Sequence, residues 1–361
     1  MKKGKDKIFT IIFFTMVLAG FFILFSASMG LLTRDKADFS SIVLKQFIFG
    51  VGGLVALVAA SRINYKNWQR FALPLFLFSF LLALLVFEPH IGFGYGGAKR
   101  WINLGSVTFQ PSELLKLGFF IYLASWISAR KNDIKSFRYG LFPFLIIVAF
   151  VGFILIAEPD IGTLGVIAIT SALMFFIGGG KLAQIALMAL LGMVLLYGLV
   201  LVKPHAMDRV QTFLNPSADL TGSGYQVRQS LIAVGSGGIY GRGFGMSIQK
   251  FNYLPEPIGD SIFAVFAEEF GFIGSAALIA LFLFFLYRGF LIILRASDPF
   301  AKLLGVGILI SIVIQSFINI GSMVGIIPLT GVPLIFVSQG GSALAIALME
   351  IGILLNISRY G

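Results

Sequence analysis

Long apolar runs alternate with short polar interruptions along almost the whole chain. Ten runs reach spanning length, near 8–32, 43–61, 70–88, 111–129, 139–157, 163–179, 182–202, 262–290, 303–325 and 340–357. A bilayer crossing needs about 20 consecutive apolar residues in a helix, and these runs leave no stretch for a separate soluble domain. The pattern therefore predicts an all-α integral membrane protein: a single polytopic domain over 1–361 with about ten transmembrane helices. Three interruptions are unusually polar and glycine-rich, 88–112, 203–260 and 326–342, and the short turn Glu158–Gly162 falls on the same membrane face. Irregular backbone beside a bilayer must be satisfied by protein or by water. A polar cavity open to that face follows.

Charge fixes which face it is. With the N-terminus inside, Lys2, Lys3, Lys5, Lys7, Arg62, Lys66, Arg70, Arg130, Lys131, Lys135, Arg138, Lys181, Arg288, Arg295, Lys302 and Arg359 all fall on the cytoplasmic side. The short outer loops carry Arg34, Lys36, Lys99 and Arg100. This asymmetry is the one the positive-inside rule describes, so both termini are cytoplasmic and the large loop 203–260 between the seventh and eighth spans is extracytoplasmic. Composition agrees: 58% hydrophobic residues and 12% charged leave the bilayer to supply much of the apolar environment. The net charge of +11 thus reflects loop topology, and no nucleic-acid partner is expected. With no cysteine and two histidines, disulfides, thiolate nucleophiles and histidine-rich metal sites are excluded. The lysine-rich start and Ser26-Ala27-Ser28 imitate a signal peptide, but the apolar stretch is too long, and an uncleaved first helix is expected.

Within this frame a few polar residues stand out. Asp260 sits where Tyr253-Leu-Pro-Glu256-Pro-Ile-Gly-Asp260 meets the eighth apolar run. A carboxylate at a membrane edge avoids full desolvation and faces the headgroup layer, where a base acting on a lipid-linked substrate would stand. Glu113 and Lys116, three apart, share a helix face and can pair. They are either a buried structural ion pair or a cavity-facing cation that meets phosphate, held by its acid. Lys45 either snorkels to the headgroups or contacts phosphate. Glu268 and Glu269 diverge by about 100° on a helix, so at most one shares the face of Asp260. Glu350, towards the inner half of the last span, reads as a structural partner. Gly92-Phe-Gly94-Tyr-Gly96-Gly97 contains a literal G-x-G-x-x-G, but no strand is expected before it, so a tight re-entrant turn is the reading in place of a dinucleotide site. Gly235–Gly245 lacks a phosphate-loop ending and reads as a flexible loop or an anion-binding backbone. Gly50-Val-Gly52-Gly53 and Gly321-Ser-Met-Val-Gly325 are small-residue patterns that mark close helix packing.

Several strings taken in order resemble one family. They are Gly97-Ala-Lys-Arg-Trp-Ile-Asn-Leu-Gly105 leading into Gln110-Pro-Ser-Glu-Leu-Leu-Lys116, then Glu158-Pro-Asp-Ile-Gly-Thr163, then Gly224–Gly238 with Arg228 and Gln229. Tyr253-Leu-Pro-Glu256, Asp260, Gln315 with Asn319-Ile-Gly321, Pro328-Leu-Thr-Gly331 and Ser338-Gln-Gly-Gly-Ser342 continue the match. Together they resemble the SEDS proteins of bacterial wall synthesis, and Ser247-Ile-Gln-Lys250 is more similar to the division branch than to the elongation branch. The resemblance implies a peptidoglycan glycosyltransferase of the cytoplasmic membrane that polymerises lipid II, with Asp260 as general base. It implies substrate contacts at Lys116, Glu113, Arg100, Asp160, Arg228, Gln229, Glu256, Ser338 and Ser342, and a divalent cation, Mg or Mn. It also implies a monofunctional class B penicillin-binding transpeptidase as partner, beside the surrounding membrane lipids. Two departures touch the site: Ile258-Gly259 and Ser261 flank the acid where the family usually has His-Thr and an aromatic, and Gln339 stands where Tyr is common. A transporter of the same lipid explains the apolar walls equally well but gives no reason for an acid at the outer edge.

Overall fold

The computed structural model describes residues 6–33, 36–95, 98–103, 105, 107–131, 133–215 and 222–360. Lys2, Lys3, Lys5, Arg34 and Gly96–Gly97, used above, lie outside the described residues. All ten predicted runs are helical. In chain order the helices are α1 (Lys7–Ser28), α2 (Lys36–Arg62), α3 (Tyr65–Arg70), α4 (Ala72–Leu84), α5 (Pro111–Ala129), α6 (Phe142–Ala157) and α7 (Ile161–Ile177), then α8 (Leu182–Val202), α9 (Pro204–Leu214), α10 (Ser223–Ser236), α11 (Ile262–Arg295), α12 (Pro299–Met323) and α13 (Gly341–Tyr360). Seven of the long helical stretches are apolar enough to cross a membrane, and the helices over Ala72–Phe87 and Ile161–Ile177 are apolar but shorter. α5 is the tenth, and it carries Glu113 and Lys116 in its first two turns.

Polar caps set the ends. The Asp6 carboxylate accepts from Phe9 N at the start of α1 and also pairs with Arg288 of α11 at 2.8 Å, so one acid ties two helices together at their cytoplasmic ends. Asp160 caps α7 through Thr163 N, and Asp298 caps α12 through Phe300 N. Pro111 and Pro299 occupy first-turn positions, where the missing N–H costs nothing.

α5, α12 and α13 form the buried centre, and α2 lies along α13. Gly53 makes that approach possible, since a Cβ there would stand 3.0 Å from the Ala345 Cα. Gly325 has a different role from the one its spacing suggested. It lies past the end of α12 with φ of 73°, a left-handed residue that stops the helix. α8 is peripheral: none of its apolar window is buried against protein, which leaves its surface to lipid.

Two segments expected to be irregular are ordered. The 88–112 stretch holds a three-stranded antiparallel sheet, β1 (Gly92–Tyr95), β2 (Ala98–Asn103) and β3 (Thr108–Phe109), in the order β1-β2-β3. The expected re-entrant turn is thus a hairpin, and the all-α description needs this small outer sheet added. Each strand carries one of the aromatics Phe93, Trp101 and Phe109, and Phe93 pairs with Trp101 across the ladder. The 203–260 loop holds two helices, α9 and α10, followed by a run of turns up to Asp260.

α11 is broken at Gly271, whose φ of 64° and ψ of −161° interrupt the helix. The loop after α10 fills the gap. Phe272 N donates to Gly238 O at 2.9 Å and Ile273 N to Ile239 O at 3.1 Å, while Arg242 N and Gly243 N donate to the carbonyls of Glu268 and Glu269. Both acids then anchor the rest of the loop. Glu268 accepts from Ser247 Oγ, Ile248 N and Gln249 N, and Glu269 pairs with Lys250 Nζ at 2.7 Å. Glu268 and Glu269 are therefore structural, and the first two turns of α11 form a platform directly after Asp260.

Two outcomes follow from this architecture. Gly271→Ala places a Cβ 2.3 Å from Gly241 N at a positive φ. A loss of about 1–3 kcal/mol is expected, read as a lower melting temperature in detergent. For topology, the exposed Tyr253 in the outer loop and the exposed Lys135 serve as positions for single cysteines. A membrane-impermeant thiol reagent on intact cells should label Tyr253→Cys and reach Lys135→Cys only after permeabilisation.

Candidate functional site

The outer ends of the helices and the outer loops enclose a cavity of about 1180 Å³. Its wall takes Lys45, Gln46 and Phe49 from α2, Phe93, Arg100 and Trp101 from the sheet, and Ile156, Pro159 and Ile161 from the α6–α7 turn. Leu199 and Lys203 come from the end of α8, Arg209 and Asp208 from α9, Glu256, Asp260 and Gly331 from the two loops facing them, and Ser342 from the first turn of α13. Four basic side chains thus meet three carboxylates. One side of the wall, built from Ile156, Ile161, Leu199 and Ala206, is apolar.

Asp260 is held through its backbone, which leaves its carboxylate free for the cavity. Its carbonyl accepts from Asn319 Nδ2 at 2.8 Å, and the same amide donates to Val332 O at 2.9 Å. Ser338 Oγ donates to Gly259 O at 2.8 Å, and Gln339 N to Ile258 O at 2.8 Å. Gly259 N and Ser261 N both return to the Glu256 carbonyl, closing a tight turn in which Glu256 has φ of 48°. Gln226 of α10 donates to Ser261 Oγ at 3.0 Å. The departures from the family pattern at 258, 259 and 261 fall on positions bound through backbone or a hydroxyl, so the turn itself does not require His, Thr or an aromatic there.

Burial, followed by the neighbouring negative charge of Glu256, pushes the Asp260 carboxyl up to about 6, against the opposing pull of Arg100 and Arg209. Glu158, at the α6–α7 turn, is pushed up to about 8 by burial and then by Asp160, with Arg100 offsetting part of it. Glu158 therefore keeps its proton at neutral pH, whereas Asp260 is mostly ionised. Arg100 is fixed by two carbonyls of this turn: Nε donates to Glu158 O at 3.3 Å, and Nη2 donates to Pro159 O.

The sequence-predicted residues separate into three groups. Asp260, Glu256, Arg100 and Ser342 line the cavity, with Ser342 Oγ accepting from Gln110 N. Asp160 and Ser338 are buried just behind it, as a helix cap and as a staple for the Asp260 turn. Glu113, Lys116, Arg228 and Gln229 do not line it. Lys116 Nζ is buried in the bundle, 2.7 Å from Glu113 and 2.6 Å from Gln315 Oε1, with Glu350 of α13 the next carboxylate in its surroundings. The pair is buried where α5 packs against α4, α7 and α12. α10 turns Val227, Ser230 and Ala233 inward, which puts Arg228 in solvent and leaves Gln226 as the contact to the Asp260 turn.

Lys45 lines the cavity. Arg209 also lines the cavity, a residue that no motif in the sequence singles out. The available signal is an amphipathic helix, in which Asp208, Arg209 and Thr212 share a polar face turned to the cavity. Among the described residues no three His, Asp or Glu side chains gather into a metal-holding group.

The Lys116 cluster generates a stability prediction. Lys116→Met strands a buried carboxylate, and the loss expected on breaking a buried pair is about 3–5 kcal/mol. Adding Glu113→Gln should restore much of it. Thermal melts of the two variants check this, since a contact made only to substrate would leave the melting temperature unchanged.

Comparison with known proteins agrees with this geometry. The family described as "Cell cycle protein" (FTSW_RODA_SPOVE) matches residues 6–361. Stage V sporulation protein E of Bacillus subtilis is 39% identical over 359 residues, covering 99% of this chain and 98% of that protein. A probable peptidoglycan glycosyltransferase FtsW of Geobacter sp. is 35% identical, covering 99% and 97%. A chain from a peptidoglycan synthase complex that coordinates polymerisation and crosslinking superposes with a TM-score of 0.79 at 25% identity, covering 98% of each chain. The rod shape determining protein RodA of Thermus thermophilus gives a TM-score of 0.72 at 25% identity, covering 99% of this chain and 98% of that one. With a match along nearly its whole length, an intact acid at the loop-to-helix junction and the same arrangement of helices, the chain belongs to the FtsW/RodA/SpoVE family.

Proposed function

We propose that this protein is a peptidoglycan glycosyltransferase of the bacterial cytoplasmic membrane that polymerises lipid II at the outer face, with Asp260 as general base. The observation that carries it is a carboxylate pushed up to about 6, fixed by its backbone in an outer-face cavity and opposed by Arg100 and Arg209. A lipid diphosphate donor carries an activated sugar. A hydroxyl of the acceptor sugar attacks the anomeric carbon from the side opposite the diphosphate. The new carbon–oxygen bond forms as the bond to the diphosphate breaks, the electron pair leaves with the diphosphate, and the hydroxyl proton passes to Asp260. Inversion turns an α-linked donor into a β-linked strand.

A base with a raised affinity for protons is suited to this step, since catalysis is best when its pKa approaches the working pH. The arginines face the charge that develops on the leaving group. The apolar wall between the α6–α7 turn and the end of α8 suits a polyprenyl chain, with membrane lipid outside it. Lys116 enters this scheme only by holding α5 and α12 together. A divalent cation, Mg or Mn, remains part of the proposal as an ion carried by the diphosphate oxygens, where it would add Lewis-acid stabilisation. Crosslinking of the strands falls to a partner, the proposed class B penicillin-binding transpeptidase. The resemblance of Ser247–Lys250 supports a division role, while the sporulation protein among the relatives belongs to the same family.

A lipid transporter is the weaker reading, because every residue of the cavity wall comes from an outer loop or an outer helix end. Asp260→Asn decides between the two. The amide nearly preserves shape but cannot take a proton, and loss of lipid II polymerisation by about 100-fold or more is expected in a correctly inserted variant. Normal strand synthesis by Asp260→Asn would sink the base assignment. The rate of the unaltered protein should also fall as pH drops through about 6, since Asp260 is then protonated. An ordinary aspartate would hold its activity down to about pH 4.

A further inference from the structure

One place in the cavity is marked by three charged groups at once. A Cβ built on Gly331 would stand 3.6 Å from Asp260 Oδ2, 3.8 Å from Arg209 Nη2 and 3.9 Å from Arg100 Nη1. Gly331 has φ of 73°, so its left-handed backbone and its missing side chain together keep that place open. The two arginines are mounted alike. Arg100 spends Nε and Nη2 on the carbonyls of Glu158 and Pro159, and Arg209 spends Nη1 on Thr330 O at 3.2 Å. In each case the other terminal nitrogen is the one aimed at the shared point. Asp260 is in none of the ion pairs among the described residues, so neither guanidinium is consumed by the acid.

We infer that Arg209 is a catalytic residue which, with Arg100, clamps the leaving diphosphate above Gly331. The inference rests on the glycosyltransferase reading and deepens it. Carbonyl anchoring on one terminal nitrogen of each arginine fixes the plane of the fork without lowering its charge, which suits two phosphate oxygens better than a flexible ammonium would. When the anomeric bond breaks, the diphosphate changes from a diester to a group with one more negative charge, and a clamp built for that charge lowers the barrier more than it tightens donor binding. The charged groups facing Asp260 are Glu256 of its own loop, Arg100 of β2 and Arg209 of α9. Removing Arg209 takes away one of the two cations that favour the carboxylate, so the acid limb must move to higher pH.

The bland account is that Arg209 only staples α9 to the Thr330 loop. Purified Arg209→Gln and Arg209→Lys, beside the unaltered protein and Asp260→Asn, separate the two accounts through lipid II polymerisation and calorimetric titration with farnesyl diphosphate. The expected result for Arg209→Gln is a kcat lower by about 100-fold with KM changed much less. Its acid limb should shift upward, and its affinity for farnesyl diphosphate should be at least about tenfold weaker, with Arg209→Lys recovering part of each loss. Unchanged kcat, acid limb and diphosphate affinity in Arg209→Gln would overturn the clamp even if Asp260→Asn is inactive. Lost polymerisation with undiminished diphosphate affinity would also overturn it, leaving Arg209 the staple. If the unaltered protein makes no strands yet binds farnesyl diphosphate through Arg209, the polymerase reading falls and the clamp stands.

Discussion

Peptide groups next to a bilayer have no water to fall back on, and this requirement organises the outer half of the molecule. The break in α11 at Gly271 frees backbone groups at membrane depth, and the 237–243 loop is what satisfies them. That docking carries Glu268 and Glu269 into contact with Ser247, Ile248, Gln249 and Lys250, so the whole glycine-rich segment is drawn onto α11. The turn that presents Asp260 obeys the same rule. Its carbonyls at 258, 259 and 260 are each taken by a donor from α12 or from the 338–339 segment. The Asp260 carboxylate can then stand in a cavity while the carbonyls of the turn that bears it are hydrogen-bonded.

Charge is distributed by the same balance of burial and partners. Asp260 opens to the cavity with two arginines opposite, and its carboxyl rises only to about 6. Glu158, closed in beside Asp160, rises to about 8 and remains neutral. Asp260 at the cavity and Glu158 buried outside its lining are thereby set apart, one ready to accept a proton and one already holding its own. The turn that carries Glu158 also has a structural role, because the backbone carbonyls of Glu158 and Pro159 hold Arg100 in place. Inside the bundle, Lys116 has Glu113 and Gln315 as partners, and its charge stabilises the packing of α5 against α12.

The proposed substrate is half lipid, and the cavity has the matching division. Its apolar side lies where α8, left almost wholly to lipid, meets the α6–α7 turn. Its charged side lies where the sheet, α9 and the two loops converge. The outer sheet and the two helices of the long loop are what bring Arg100 and Arg209 from opposite sides to one point above Gly331.

The sequence by itself determined the ten helices and their sidedness, because spanning segments and loop charges are local properties read one stretch at a time. It also determined Asp260, since an acid at the junction of a polar loop and an apolar run is costly without a purpose. Which polar residues face the cavity was a tertiary decision. Lys116 and Glu113 have the spacing of a pair, but whether the pair meets substrate or protein depends on what packs against α5. Arg228 and Gln226 are two apart on α10, and only the docking of that helix on α11 selects Gln226 as the one that reaches Ser261. Arg209 lies 51 residues before Asp260 in the chain, and no local pattern could place it beside Arg100. Those contacts depend on the relative positions of helices, which hydrophobic periodicity does not encode.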